Sequence, residues 1–190
     1  MVKIQVNPLE ATTSNTVDIA EFLQEHADFE RKSSDYALSI VGKFPEKFEG
    51  VSTLAHIGLG SLTIFAELCN LMQQRGVMLI PESPQNLYLK QLAWLNRSGR
   101  EERYLDRLIL GRISETRCAK RFQQVSDLLE DIELSTFYAQ CARTKQQHAD
   151  QYMQLAYEAM DTAIVNLRLE ELIMEEEKVM ASQQGVSGIF

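Results

Sequence analysis

Glu30, Glu115, Lys145 and His148 are the residues whose types and spacing point to chemistry. Lys145-Gln-Gln-His148 sets an amine and an imidazole three positions apart, which on a helix places them on one face. Carboxylates and an imidazole brought together ligate metal ions. A lysine among carboxylates in a semi-enclosed pocket instead acquires a shifted pKa and serves proton transfer or imine formation.

Long helices must position these groups. Ile19, Phe22, Leu23 and Phe29 recur at threes and fours, with Asp18 placed to cap, and predict a helix over 17–43 that Pro45 cannot extend. A second pattern over 46–75 ends at Gly76, a left-handed C-cap. Pro81 and Pro84 mark a connector, followed by a short amphipathic helix holding Leu87, Leu89, Leu92, Trp94 and Leu95. Further helices are predicted over 101–128, 132–160 and 161–181, with 183–190 a frayed tail, all within one domain spanning 1–182.

Composition agrees with this frame. Four prolines and nine glycines in 190 residues leave little punctuation for many short strands, and 45% hydrophobic content supplies one sizeable core. The net charge of −8 opposes strong nucleic-acid binding, although a local basic face remains open. Cys69, Cys118 and Cys141 are odd in number and lack Cys-x-x-Cys spacing, which disfavours a disulfide framework or zinc knuckle and fits a reducing compartment. Residues 1–16 lack the pattern of a signal peptide, and no uninterrupted apolar run reaches the roughly 18 residues of a membrane span, so a cytoplasmic protein without membrane contact is expected.

Four long helices with two short connections and one longer crossover describe an all-α, ferritin-like four-helix bundle with an added short helix and a C-terminal helix. Di-metal bundles of that type place a Glu on each of two helices and Glu-x-x-His on each of the other two. Glu30, Glu115 and His148 are the skeleton of that plan.

At this point the chain resembles a family, the tRNA hydroxylase MiaE, over about residues 20 to 160. The resemblance rests on His26-Ala-Asp-Phe-Glu-Arg-Lys32, Ala37-Leu-Ser-Ile40, Met72-Gln-Gln-Arg-Gly-Val77, Glu115-Thr-Arg-Cys-Ala-Lys-Arg-Phe122, and Phe137-Tyr138 ahead of His148. It implies a di-iron centre and hydroxylation of the isopentenyl group of a modified adenosine in tRNA. Two departures follow. Ser61-Leu-Thr-Ile64 stands where the family has Glu-x-x-His on its second helix, and Lys145 replaces the Glu of the last Glu-x-x-His.

The leading expectation is therefore a divergent family member that has lost the di-iron centre. It uses Lys145, Glu30, Glu115 and His148 in metal-independent acid–base chemistry on, or binding of, a small organic molecule, with Ser61, Ile64 and Gly60 lining the pocket. An alternative is an iron-dependent oxygenase with a rebuilt site on Glu30, Glu115 and His148, with His26 or Asp28 nearby. Another is a non-catalytic interaction protein in which Lys145 pairs with Glu30 and Glu115 and an ammonium stands in for iron. Nucleic acid is disfavoured as a partner but tRNA is not excluded, and the sequence does not give the oligomeric state.

Remaining features have simpler readings. His56 faces away from Ser61, about 140° around the helix. Gly58-Leu-Gly60 suits close packing or a widened pocket rather than a phosphate loop. Arg112, Arg117, Lys120 and Arg121 form one basic cluster and Arg97, Arg100 and Arg103 another, where the family would receive tRNA, although pairing with nearby acids is the commoner fate of such charges. Glu170-Glu171 and Glu175 to Glu177 mark a solvated face, and Cys118, Cys141, Phe22, Phe29, Phe65, Met72, Phe122 and Tyr152 are expected in the core.

Overall fold

The computed structural model describes residues 3–5, 16–81 and 87–182; the predicted tail 183–190 and Pro84 lie outside them. Periodic apolar residues produce six helices: α1 (Ile19–Lys43), α2 (Val51–Gln74), α3 (Leu87–Trp94), α4 (Arg100–Leu128), α5 (Ile132–Ala159) and α6 (Thr162–Ser182). Before them, β1 (Lys3–Gln5) pairs antiparallel with β2 (Thr16–Asp18), Ile4 opposite Val17.

That ribbon corrects the expected start of the first helix. β-branched Thr16 and Val17 suit an extended strand, so α1 begins at Ile19 rather than at 17, and Asp18, expected to cap, ends β2 at the position immediately before the helix. The second helix also starts later than its pattern predicts, because Phe48–Gly50 forms a 3₁₀ turn after Pro45 and α2 begins at Val51. Gly76 adopts φ +67° after α2, and Val77 N–H returns to Met72 O at 2.9 Å. Asp131 caps α5, accepting from Leu134 N–H at 3.1 Å.

The hairpins α1–α2 and α4–α5 face one another as a four-helix bundle, with seams between α2 and α5 and between α1 and α4. The long crossover from α2 to α4 carries α3, and α6 packs against α4 and α3. Asp106 on α4 fastens this outer layer: fully buried, it accepts from Arg97 backbone N–H and Nη2 and from Arg168 Nε, each at 2.8 Å. Residues 48–74 are long and apolar enough to cross a membrane by length and composition, while Leu54, Ile57, Ile64, Leu68 and Met72 of that segment are buried in the bundle.

The core comes in two apolar halves. One gathers Ile40, Leu54, Ile57, Leu108, Ile109 and Tyr152; the other gathers Phe22, Phe29, Leu68, Met72, Phe122 and Tyr138. Phe65 packs against the second half, partly buried. Between the halves each bundle helix contributes polar residues: Glu30 and Ser33 from α1, Ser61 from α2, Glu115 from α4, Lys145 and His148 from α5.

Candidate functional site

Each polar residue of this middle layer projects inward because its helical neighbours on the same face are core residues: Phe29 and Ala37 flank Glu30 and Ser33, and Ala142 and Ala149 flank Lys145 and His148. Lys145 sits at the centre, fully buried. Its Nζ donates to Glu30 Oε2 at 2.6 Å and to Ser61 Oγ at 3.1 Å, and lies 3.2 Å from Glu115 Oε2. Ser33 Oγ donates to Glu115 Oε1 at 2.5 Å and receives a bond from Ser61 Oγ at 3.3 Å. His148 Nδ1 is 3.4 Å from Glu115 Oε2. Neither of those last two atoms makes a directed hydrogen bond, so Glu115 Oε2 is held to Lys145 by charge rather than by an angular bond.

His26 closes the layer on the other side. Its Nε2 is 3.0 Å from Glu30 Oε1, and its Nδ1 is 3.4 Å from the Tyr138 hydroxyl. Burial pushes the His26 pKa below the ordinary value despite Glu30, so the ring is neutral at pH 7. Tyr138 is pushed far up by burial and keeps its proton. A neutral ring between a carboxyl acceptor and a phenol donor takes the tautomer with hydrogen on Nε2, donating to Glu30 and accepting from Tyr138.

Burial alone would strip the proton from Lys145, but the Glu115 and Glu30 carboxylates overcome it and hold the ammonium above the ordinary lysine range. Burial likewise opposes ionisation of Glu115, yet Lys145, His148 and Ser33 bring its pKa down to about 2. The cluster thus holds an ammonium and ionised carboxylate out of water. A lysine so held is a fixed charge, and imine formation, which needs the free amine, is disfavoured.

The structure brings Glu30, Glu115, Lys145, His148 and Ser61 together. It also adds Ser33 and Tyr138, to which the sequence reading gave no place in the site; Ser33 is three residues after Glu30, on the same helical face, which was the available signal. His26, expected near the site, is fully buried and bonded to Glu30. Asp28 does not join the cluster, since it pairs with Lys32 at 2.6 Å and Arg31 at 3.1 Å. His56 is exposed, its Nδ1 2.7 Å from Ser52 O.

The room expected beside Gly60 is filled. A Cβ there would fall inside contact distance of His148 Nε2 and 2.7 Å from its Cε1, so the missing side chain is what admits the imidazole. Gly60 and Ile64 also border a groove of about 150 Å³ between α2 and α5, whereas Ser61 points into the polar layer.

Of the basic residues, Arg97 pairs with Asp106, Arg100 binds Glu46 at 2.7 Å, and Arg103 donates to the carbonyls of Arg97 and Ser98. That cluster is committed to holding the connector. Burial pushes the Cys118 and Cys141 thiols up, which keeps them as core groups rather than nucleophiles.

The profile of the family described as tRNA-(MS[2]IO[6]A)-hydroxylase (MiaE) matches residues 8–187. The chain belongs to the MiaE family. A relative from Pseudomonas putida, tRNA 2-(methylsulfanyl)-N(6)-isopentenyladenosine(37) hydroxylase, is 28% identical over 160 residues, covering 84% of this chain and 77% of its own. Among solved structures, a Synechococcus protein described as protein 43 with aldehyde deformylating oxygenase activity superposes with a TM-score of 0.82 at 24% identity, over 90% of this chain and 83% of that one, and shares the fold.

MiaE members are resembled here in fold and helix plan, and that resemblance implies iron. The residues as placed do not fit a di-iron centre: a protonated ammonium lies against both carboxylates that would bridge or flank the metals. Among the described residues, no three His, Cys, Asp or Glu side chains converge as a metal-holding group.

Proposed function

We propose that this chain is a metal-independent member of the MiaE family, in which the Lys145–Glu30–Glu115–His148 cluster performs acid–base chemistry on, or binds, a small organic molecule. The carrying observation is the Lys145 ammonium, 2.6 Å from Glu30 and 3.2 Å from Glu115. It supplies from within the chain the positive charge that makes two buried carboxylates tolerable together. Within that frame each group has a role. Lys145 fixes the field, Glu115 stays ionised, and His148 is the proton carrier, with one ring nitrogen toward Glu115 and the other against Gly60, which also borders the α2–α5 groove. A groove of about 150 Å³ limits the partner to a few heavy atoms beside this edge.

A second reading, iron-dependent hydroxylation of the kind named for the Pseudomonas putida relative, is favoured by two carboxylate–imidazole pairs, Glu30 with His26 and Glu115 with His148, on either side of Lys145. It requires Lys145 to leave the space between the carboxylates. Elemental analysis of the purified chain after growth with iron supplied decides between the two. Iron, manganese and zinc far below stoichiometry in a fully folded sample support the metal-independent reading. Stoichiometric iron that is lost in Glu115→Ala overturns it.

A further inference from the structure

The outer side of α4, turned away from Glu115, forms with α6 a depression of about 370 Å³. Its floor is apolar, built from Ile113, Leu169 and Ile173, and its rim carries Arg112, Lys120 and Arg121. In a chain of net charge −8 this concentration of cations requires an account of where each charge goes. Arg117, in the same wall, is consumed internally: its Nη2 binds the buried Glu176 carboxylate at 2.5 Å, which also accepts from Tyr88. Its Nε is left buried without a hydrogen-bond partner.

The rim residues are less fully committed. Arg112 donates to the Thr116 hydroxyl in the same wall, and the carboxylate it reaches is that of the exposed Asp150, at 3.9 Å. Lys120 makes no ion pair among the described residues, and Arg121, with no direct ion pair, lies beside α1, its guanidinium 6.0 Å from the Phe22 ring centroid and within the field of the Glu25 carboxylate. Three cations around one concavity match an oxyanion carrying more than one charge, and guanidinium forks match its oxygens. The apolar floor adds a surface for a compact hydrocarbon or ring, in a volume within the roughly 300–1,000 Å³ of small-molecule sites. Exposed Glu170, Glu171 and Glu177 on α6 oppose a long polyanion, which would pass over them, more than a compact one.

We infer that the α4–α6 depression binds a phosphate monoester with a small apolar or aromatic body. The dianionic head group sits among Arg112, Lys120 and Arg121, and the body rests on Leu169 and Ile173. This site shares no residue with the buried lysine cluster, so the two readings fail independently.

Calorimetric titration of the whole chain with phenyl phosphate, at roughly 50 and 200 mM salt, tests it. One saturable site is expected, with inorganic phosphate at least tenfold weaker because it lacks the body. Arg112→Ala with Lys120→Ala is expected to weaken phenyl phosphate at least tenfold, and Ile173→Ser to weaken phenyl phosphate while leaving inorganic phosphate unchanged. Circular dichroism of each variant checks the fold. Absence of saturable binding to the unmodified chain, or binding indifferent to the double substitution, overturns the inference. So does a single-stranded RNA oligonucleotide that binds with steep salt dependence where phenyl phosphate does not.

Discussion

Gly60 and His148 are fitted to one another across the α2–α5 seam, the imidazole lying where a side chain on residue 60 would project. Gly60→Ala therefore pits about 1 kcal/mol of helix propensity in favour of alanine against overpacking of roughly 1–3 kcal/mol. A net loss of stability is expected by chemical denaturation, and it should vanish in the Gly60→Ala, His148→Ala pair. A loss of equal size in both backgrounds would show that the ring is not what Gly60 accommodates.

Lys145→Met removes the cation between two buried carboxylates while keeping the length of the side chain. Stranding those charges is expected to cost about 3–5 kcal/mol at neutral pH. The pH dependence should change with it. Glu115 titrates near 2 in the folded protein against 4.5 unperturbed, so its contribution, on the order of 3 kcal/mol, is present above the unfolded carboxyl's range and lost as pH falls through about 2. In Lys145→Met the acid limb should flatten or reverse, because protonation then relieves the stranded carboxylates. Urea denaturation at a series of pH values reads both effects.

His26 gives a linkage of the same sign in a higher pH window. Its pKa is lowered by burial, so the unfolded ring takes up a proton below about 6.5 while the folded ring does not, and stability declines as pH falls below that value. Nitrogen-15 NMR of the imidazoles is expected to show His26 neutral at pH 6 with hydrogen on Nε2. A charged His26 at that pH would contradict the hydrogen-bond directions given to Glu30 and Tyr138.

Asp106→Ala takes the acceptor away from Arg97 and Arg168 together. Roughly 3 kcal/mol of stability should be lost, somewhat softened because both arginines reach solvent. Hydrogen exchange should localise the loss to α3, α6 and the residues leading into α4, with the α1–α2 hairpin unaffected.

Much of this architecture was legible in the sequence for identifiable reasons. Pro45, Gly76 and the 3.6-residue apolar rhythm give the four long helices, and spacing alone puts Lys145 and His148 on one face. Three-dimensional partnership was harder to read. Ser33 looks like any polar helical residue until Glu115 is seen beside it, and nothing local to Gly60 announces the imidazole of a residue 88 positions later. The β1–β2 pairing escaped because strands of three residues have too few alternations to register as a period. Ion pairs such as Arg97 with the buried Asp106, and Arg100 with Glu46 at the surface, likewise turned an apparent basic cluster into fastening between segments.

The ammonium between Glu30 and Glu115 arrives on a covalent stem. A counter-ion of that kind is present in every molecule from the moment the chain is made, cannot be exchanged for a competitor or drawn off by a chelator, and leaves only when the helix carrying it moves. The positive charge facing these two carboxylates is thus inherited with the chain rather than recruited from solution.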